Sequence, residues 1–437
     1  MKTMKHSDEF IRQGGLMFLA VTISNILSLL YQLYMVRNLS PINYGVLNSL
    51  FSILMIVSIP SGTLQTVVTK FISTFYAINH YERINLLLRS FMKKTSVFGL
   101  AIFLTLIIGS RSISSFLQIG SPVLVMILGV ITVFSIILPL TQGGLQGLQR
   151  FGYLGLIMIT NGSLKLLLGV IFVSIGFGVI GAMSALAIST FITLLLSFTM
   201  LASVLPRPLA LVPGYQHLNS NNPDPKKDFS DIYRYFYAAA TVFLCFMVLT
   251  NIDVVLVKHF FKPLEAGYYS IAQMVGKIIL FLPIAITLVM FPKTSELHAQ
   301  AKATSHILKK SLFYVGALCG TAALICLLFA GLIIRLLSGE EHLECIPLAR
   351  IFSVTMLFFA LVYILLFYHL SIHRLDFIYS LVLLTVLQIL AIILFHQSLS
   401  QVLYIMCGNA ILLFLVNAYL AFKRKEFHVA SCVGSNS

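Results

Sequence analysis

The sequence predicts an all-α integral membrane protein with about twelve transmembrane helices in two six-helix bundles. Three observations carry that prediction. Of the 437 residues, 59% are hydrophobic and 10% charged, too little charge to cover a soluble globule of this size. The apolar residues fall into twelve stretches long enough to cross a bilayer. Pro41, Gly45, Pro60 and Lys70 are answered by Pro263, Gly267, Pro283 and Lys293, an offset of 222 that becomes 223 after one inserted residue. Such self-similarity marks a chain built as two copies of one unit.

About 20 apolar residues span the roughly 30 Å hydrocarbon layer as a helix. The expected spans are 14–36, 46–69, 95–112, 121–140, 153–175 and 179–204 in the first half. The second half repeats the pattern with 234–257, 266–291, 311–337, 347–370, 376–396 and 399–421. The basic start followed by an apolar run imitates a secretory leader, but the run is too long and is read as a retained first helix.

An even number of spans puts both termini on one side. Lysine and arginine accumulate in short cytoplasmic loops, and with the N-terminus inside, 21 of the 29 such residues fall on the cytoplasmic side. Arg37, Arg111, Lys258, Lys262, Arg335 and Arg350 fall outside, and Lys165 and Lys277 within spans. The net charge of +15 is thereby read as a topology signal, and nucleic-acid binding needs no place. The expected location is the cell membrane.

Residues 205–233 hold five of the thirteen prolines, with Lys226, Lys227, Asp224, Asp228 and Asp231, and read as a cytoplasmic linker between bundles at 1–204 and 234–437. Six spans on each side give the halves the same orientation, related by a pseudo-twofold along the membrane normal. Repeats of this kind place a substrate site near the midplane. The segment after the second span, with Ile84, Leu87, Leu88 and Phe91 among Arg83, Arg89, Lys93 and Lys94, is expected to lie on the cytoplasmic surface. Arg150 and Arg374 recur in equivalent loops, and with Lys70 and Lys293 they are headgroup or gate candidates. Retention of the topology, with phosphate contact at the headgroups, is the favoured account of all four.

Polar groups inside spans carry the functional reading, since an ionised side chain at mid-membrane costs about 2.5–3.5 kcal/mol and normally faces a cavity or a partner. Lys165 lies near the centre of span 5, one turn after Asn161. Lys277 lies midway along span 8 on a stripe with Ser270 and Gln273, and Asp253 is the only one of the fourteen carboxylates inside a span. Span 1 adds Ser24, Asn25, Ser28 and Gln32. Lys165, Lys277, Asp253, Asn25, Gln32, Asn161 and Gln273 are the substrate-binding candidates. The lysines suit a pyrophosphate; internal pairing, for instance with Asp253, is the alternative.

Pro60 and Pro283 each remove a helical hydrogen bond and are expected to bend spans 2 and 8. Six cysteines show no metal or redox spacing, with only Cys345 expected outside, and His369 and His373 lack a third ligand, so no metal site is expected. No GxxxxGK[ST] occurs, and no nucleotide or other cofactor is expected.

The stretch NIDVVLVKHFFKPLEAGYYSIAQ (251–273), the FPKTSEL closing span 8 (291–297) and the TQGGLQGLQRFGYLG turn (141–155) resemble the polysaccharide flippase family. These are transporters of lipid-linked oligosaccharides within the multidrug/oligosaccharidyl-lipid/polysaccharide exporter superfamily, and the resemblance covers essentially the whole chain. It implies a V-shaped pair of six-helix bundles around a central cavity that opens alternately inward and outward. The expected function is movement of a polyprenyl-pyrophosphate-linked oligosaccharide from the cytoplasmic to the outer leaflet, driven by membrane potential or an ion gradient. The expected partners are that substrate and membrane lipids, with a proton or sodium counter-ion left open and a monomer as the simplest state. A drug or metabolite cation antiporter of the same superfamily is the rival. A membrane glycosyltransferase or polymerase fits less well, because the outer loops are too short to carry catalytic residues.

Overall fold

The computed structural model describes residues 2–77, 80–205, 225–300, 302–340, 342–372 and 374–423, and among these the regular structure is entirely helical. Fifteen helices follow in chain order: α1 (Lys2–Asn38), α2 (Pro41–Val57), α3 (Ile59–Ala77), α4 (Tyr81–Ile108), α5 (Ser110–Phe116), α6 (Val123–Gly147), α7 (Phe151–Ser174) and α8 (Gly178–Val204), then α9 (Pro225–Phe260), α10 (Pro263–Phe281), α11 (Pro283–Ala299), α12 (Ser305–Ser338), α13 (Cys345–Ser371), α14 (Phe377–Leu394) and α15 (Leu399–Lys423). The chain divides into two compact units, Met1–Ala240 and Thr241–Ser437, the division falling inside α9. Most of the expected linker, 206–224, lies outside the described residues.

Local chemistry sets the helix ends. Ser40 caps α2, its hydroxyl accepting from the Asn43 amide, and Pro41 supplies a preset φ and an N–H not needed in the first turn. Gly339 ends α12 at φ 85°, where its amide donates to the Arg335 carbonyl, a closure that disfavours residues with a Cβ.

In the first unit α6 packs against α3, α4 and α8, while α7 packs against α1 and α8. Small residues permit the α1–α7 approach, as expected between helices in lipid, where close backbone contact replaces a hydrophobic driving force. Gly155, Gly162 and Gly169 recur every seven residues; a Cβ there would lie 2.9 Å from Ala20 Cβ, 3.1 Å from Leu27 Cβ and 2.6 Å from Tyr31 Cε2, respectively. In the second unit α13 is the central helix, packing against α10, α11, α12 and α15, and α14 packs on α15. Gly276 lets α10 settle on α13, because a Cβ would meet Met356 Cγ at 3.0 Å.

Eleven helices among the described residues are long and apolar enough to cross a membrane, so the protein is a multi-pass membrane protein. The expected eighth span is divided between α10 and α11, which meet at Leu282. The second is similarly divided between α2 and α3 at Ser58.

Three expectations are corrected. The amphipathic segment 84–94 is not a loop on the membrane surface but the first half of α4; Ile84 and Leu88 are buried in a cluster with Val68 and Ile72 of α3 and Leu145 of α6. No proline or glycine interrupts 81–98, so the helix runs through and its apolar stripe finds a protein partner. Lys258 is not a loop cation; it lies in the last turn of α9 and is 1% exposed. Cys345 opens α13 and is buried, its thiol 3.5 Å from the Tyr268 carbonyl oxygen.

Candidate functional site

The first unit holds one polar group of note between α1 and α7. Lys165 Nζ donates to Ser28 Oγ at 2.9 Å and sits 5.3 Å from the centre of the Tyr31 ring, a cation–π distance. Tyr31 is fixed from both ends: its hydroxyl donates to the Ala182 carbonyl of α8 at 2.9 Å, and its ring presses on Gly169, one turn beyond Lys165. Ser24 donates to the Met158 carbonyl, and Asn161 Oδ1 on the same face of α7 is buried with no hydrogen-bond partner. Asn25 is exposed and Gln32 partly buried. Among the described residues the ammonium of Lys165 thus meets a hydroxyl and an aromatic face, and no carboxylate.

The second unit assembles a larger network on α9 and α10. Asp253, fully buried, accepts from Tyr269 Oη at 2.9 Å and from Gln273 Nε2 at 3.3 and 3.2 Å at its two oxygens. Lys277, one turn after Gln273, donates to Asn251 Oδ1 at 3.0 Å, and Asn251 in turn donates to the Met247 carbonyl and Thr250 Oγ1. Helix α14 closes the group: Gln388 donates to the Leu249 carbonyl at 2.9 Å and accepts from Asn409 of α15 at 2.7 Å. Asp253 and Gln273 are thus joined by hydrogen bonds, and Lys277, on the same stripe of α10 as Gln273, lies near enough to Asp253 for their charges to attract. The hydrogen bonds of Asp253 come from a phenol and an amide, and that of Lys277 goes to an amide.

The sequence reading missed Tyr31, Tyr269, Asn251, Gln388 and Asn409. A usable signal existed for two of them. Asp253 stands 222 residues after Tyr31, the offset of Pro263 from Pro41, so the carboxylate of one unit takes the repeat position of the phenol of the other. Ser28 and Thr250 correspond at the same offset, and Asn251 is the next residue. Equivalent turns of α1 and α9 supply the polar partners, but the lysine comes from α7 in the first unit and from α10 in the second.

The remaining candidates are dispersed. Lys70 on α3 and Lys293 on α11 are exposed. Arg150 is exposed at the start of α7, whereas Arg374 is only 21% exposed, donating to the Leu420 carbonyl at 2.9 Å with Asp376 3.6 Å away. Pro60 is the second residue of α3 and Pro283 the first of α11, each just beyond the break that divides its span. His369 is buried, bonded to the Asn417 carbonyl and stacked on Phe377; His373 lies outside the described residues.

Solved structures share this architecture. An inward-facing multidrug resistance MATE family transporter of the MOP superfamily matches with a TM-score of 0.70 at 15% identity, covering 92% of this chain and 98% of that one. The lipid II flippase MurJ in an inward closed conformation matches with a TM-score of 0.67 at 14% identity, covering 94% and 87%. A MOP superfamily transporter from Pyrococcus furiosus, described as having a binding pocket of reverse polarity, matches with a TM-score of 0.59 at 15% identity, covering 95% and 96%. No curated protein sequence matches. The chain has the fold of the membrane transporters of that superfamily. It belongs to the family whose model, described as polysaccharide biosynthesis protein, matches residues 34–347.

Proposed function

We propose that the protein is a flippase that carries a polyprenyl-pyrophosphate-linked oligosaccharide from the cytoplasmic to the outer leaflet of the cell membrane by alternating access, with both termini cytoplasmic. The observation that carries this reading is that Lys165 and Lys277, one in each unit, donate hydrogen bonds to neutral groups, Ser28 and Asn251, with a carboxylate, Asp253, near Lys277 and none near Lys165 among the described residues. An ammonium that deep needs a counter-charge, and a pyrophosphate supplies one. The family to which the chain belongs, and its likeness to a lipid II flippase, agree with a lipid-linked saccharide as cargo.

The physical task is to replace water around the sugar, since each hydroxyl costs about 4–8 kcal/mol to move into alkane. The polyprenyl tail need never leave the lipid. If the headgroup crosses with about two uncompensated negative charges, an inside-negative potential of 100 mV favours export by about 4.6 kcal/mol. In that scheme Asp253 holds Tyr269 and Gln273 in place and is no carrier of a counter-ion.

The second reading, a cation antiporter, draws on the one buried carboxylate among the described residues and on the multidrug transporter among the similar structures. Proteoliposomes separate the two. Under a potassium diffusion potential with no proton or sodium gradient, a fluorescent polyprenyl diphosphate saccharide should flip, and Asp253→Asn should keep the rate. Cation-gradient dependence abolished by Asp253→Asn, with drug extrusion in place of lipid flipping, would establish the antiporter.

A further inference from the structure

Lys258 has no role in the network just described. It follows four buried apolar residues, Val254 to Val257, is itself 1% exposed, and its ammonium is buried with no hydrogen-bond partner among the described residues. Asp253 cannot serve it from five residues earlier, being turned about 140° away around the helix and already bonded to Tyr269 and Gln273. An unpaired buried cation is costly, and a methionine would fill the same apolar space without that cost.

Its register on α9 points to a use. Lys258 stands seven residues after Asn251, two turns along the same face and about 10.5 Å further toward the C-terminal end of the helix. Asn251 is the residue that holds Lys277. By the distribution of positive charge in the loops, that end of α9 faces outward. Along one face of α9 lie first Asn251, which holds the Lys277 ammonium of α10, and then, nearer the outer surface, Lys258 itself.

We infer that Lys258 is a relay cation: it receives the diphosphate of the lipid-linked saccharide after Lys277 and before release on the outer side. The inference rests on the flippase reading above. Because Lys258 is covered in this structure, it acts only once the outer end opens, so it speeds transfer without contributing to loading.

The test uses the full chain in phosphatidylcholine vesicles, with a polyprenyl diphosphate carrying one fluorescent hexosamine as probe. Lys258→Met should keep the probe's Kd within about twofold and slow potential-driven flipping roughly tenfold, the worth of one charge-assisted contact. Lys258→Arg should retain most of the rate, and Lys258→Met should melt at or above the wild-type temperature, because an uncompensated charge has been removed. Equal rates for wild type and both variants overturn the relay, as does equal slowing in both, which would assign the side chain a packing role. Slowing confined to vesicles containing phosphatidylglycerol also overturns it, by making a bilayer lipid the occupant. Failure of the wild type to flip the probe is a separate result, which removes the flippase reading and the relay with it.

Discussion

At the scale of single residues, the decisive feature is which groups meet the buried charges. Lys165 and Lys277 are partly buried and each donates one hydrogen bond to a neutral partner, which is compatible with the proposed binding of an anion. Replacing either by methionine is expected to weaken inorganic pyrophosphate binding by about 10- to 100-fold, the range of a charge-assisted hydrogen bond, as measured by calorimetry on detergent-solubilised protein. Unchanged affinity in both variants would remove them from the site. Tyr269→Phe deletes one of the bonds to the fully buried Asp253. Its expected cost is about 1.5–3 kcal/mol of stability, read from the shift of the unfolding transition. Individual candidates such as Lys165 and Asp253 were legible because charge is rare in apolar spans. Tyr269 was not, since nothing in a tyrosine's own position says whether its hydroxyl or its ring is used.

At the scale of elements, packing explains what the repeat keeps. Gly169 lets Tyr31 lie against α7, so Gly169→Ala pushes the ring away from the Lys165 ammonium. That overpacking is expected to cost about 1–3 kcal/mol, visible as a lower melting temperature, with weaker pyrophosphate binding alongside. Arg150 and Arg374 look equivalent in sequence, yet only Arg374 is tied to a neighbouring helix, through the Leu420 carbonyl of α15. Arg374→Ala should therefore destabilise by about 1–3 kcal/mol while Arg150→Ala stays within about 0.5 kcal/mol of wild type. Similar costs for both would show that the bond to Leu420 carries no net stability. The heptad of glycines at 155, 162 and 169 was readable in principle as a close helix contact; which helix it meets was not.

At the scale of the whole molecule, charge distribution gives the orientation expected for the chain in the bilayer. With 21 of 29 cations assigned to one side, reporter fusions after residues 204 and 423 are both expected to be active on the cytoplasmic face. A fusion at 423 that reports from the outside would invert the direction proposed for transport. The span count, the duplication and the helical class were legible in composition and in the recurrence of Pro41, Gly45, Pro60 and Lys70. The division of the second and eighth spans into helix pairs was less so, because a proline marks a weak point in a helix but not whether its neighbours let the helix part.

By itself the sequence determined that the chain lives in a membrane, that it is two copies of a six-span unit, and which few ionisable side chains the bilayer must tolerate. Those are consequences of solvent and of spacing along one helix. Tertiary structure alone decided the partners. It gave Lys165 to Ser28 and Tyr31, Lys277 to Asn251, and Asp253 to Tyr269 and Gln273, and it left Lys258 with none. Hydrogen bonds and van der Waals contacts act over a few ångströms, and residues 137 positions apart in the chain reach that distance only when two helices pack.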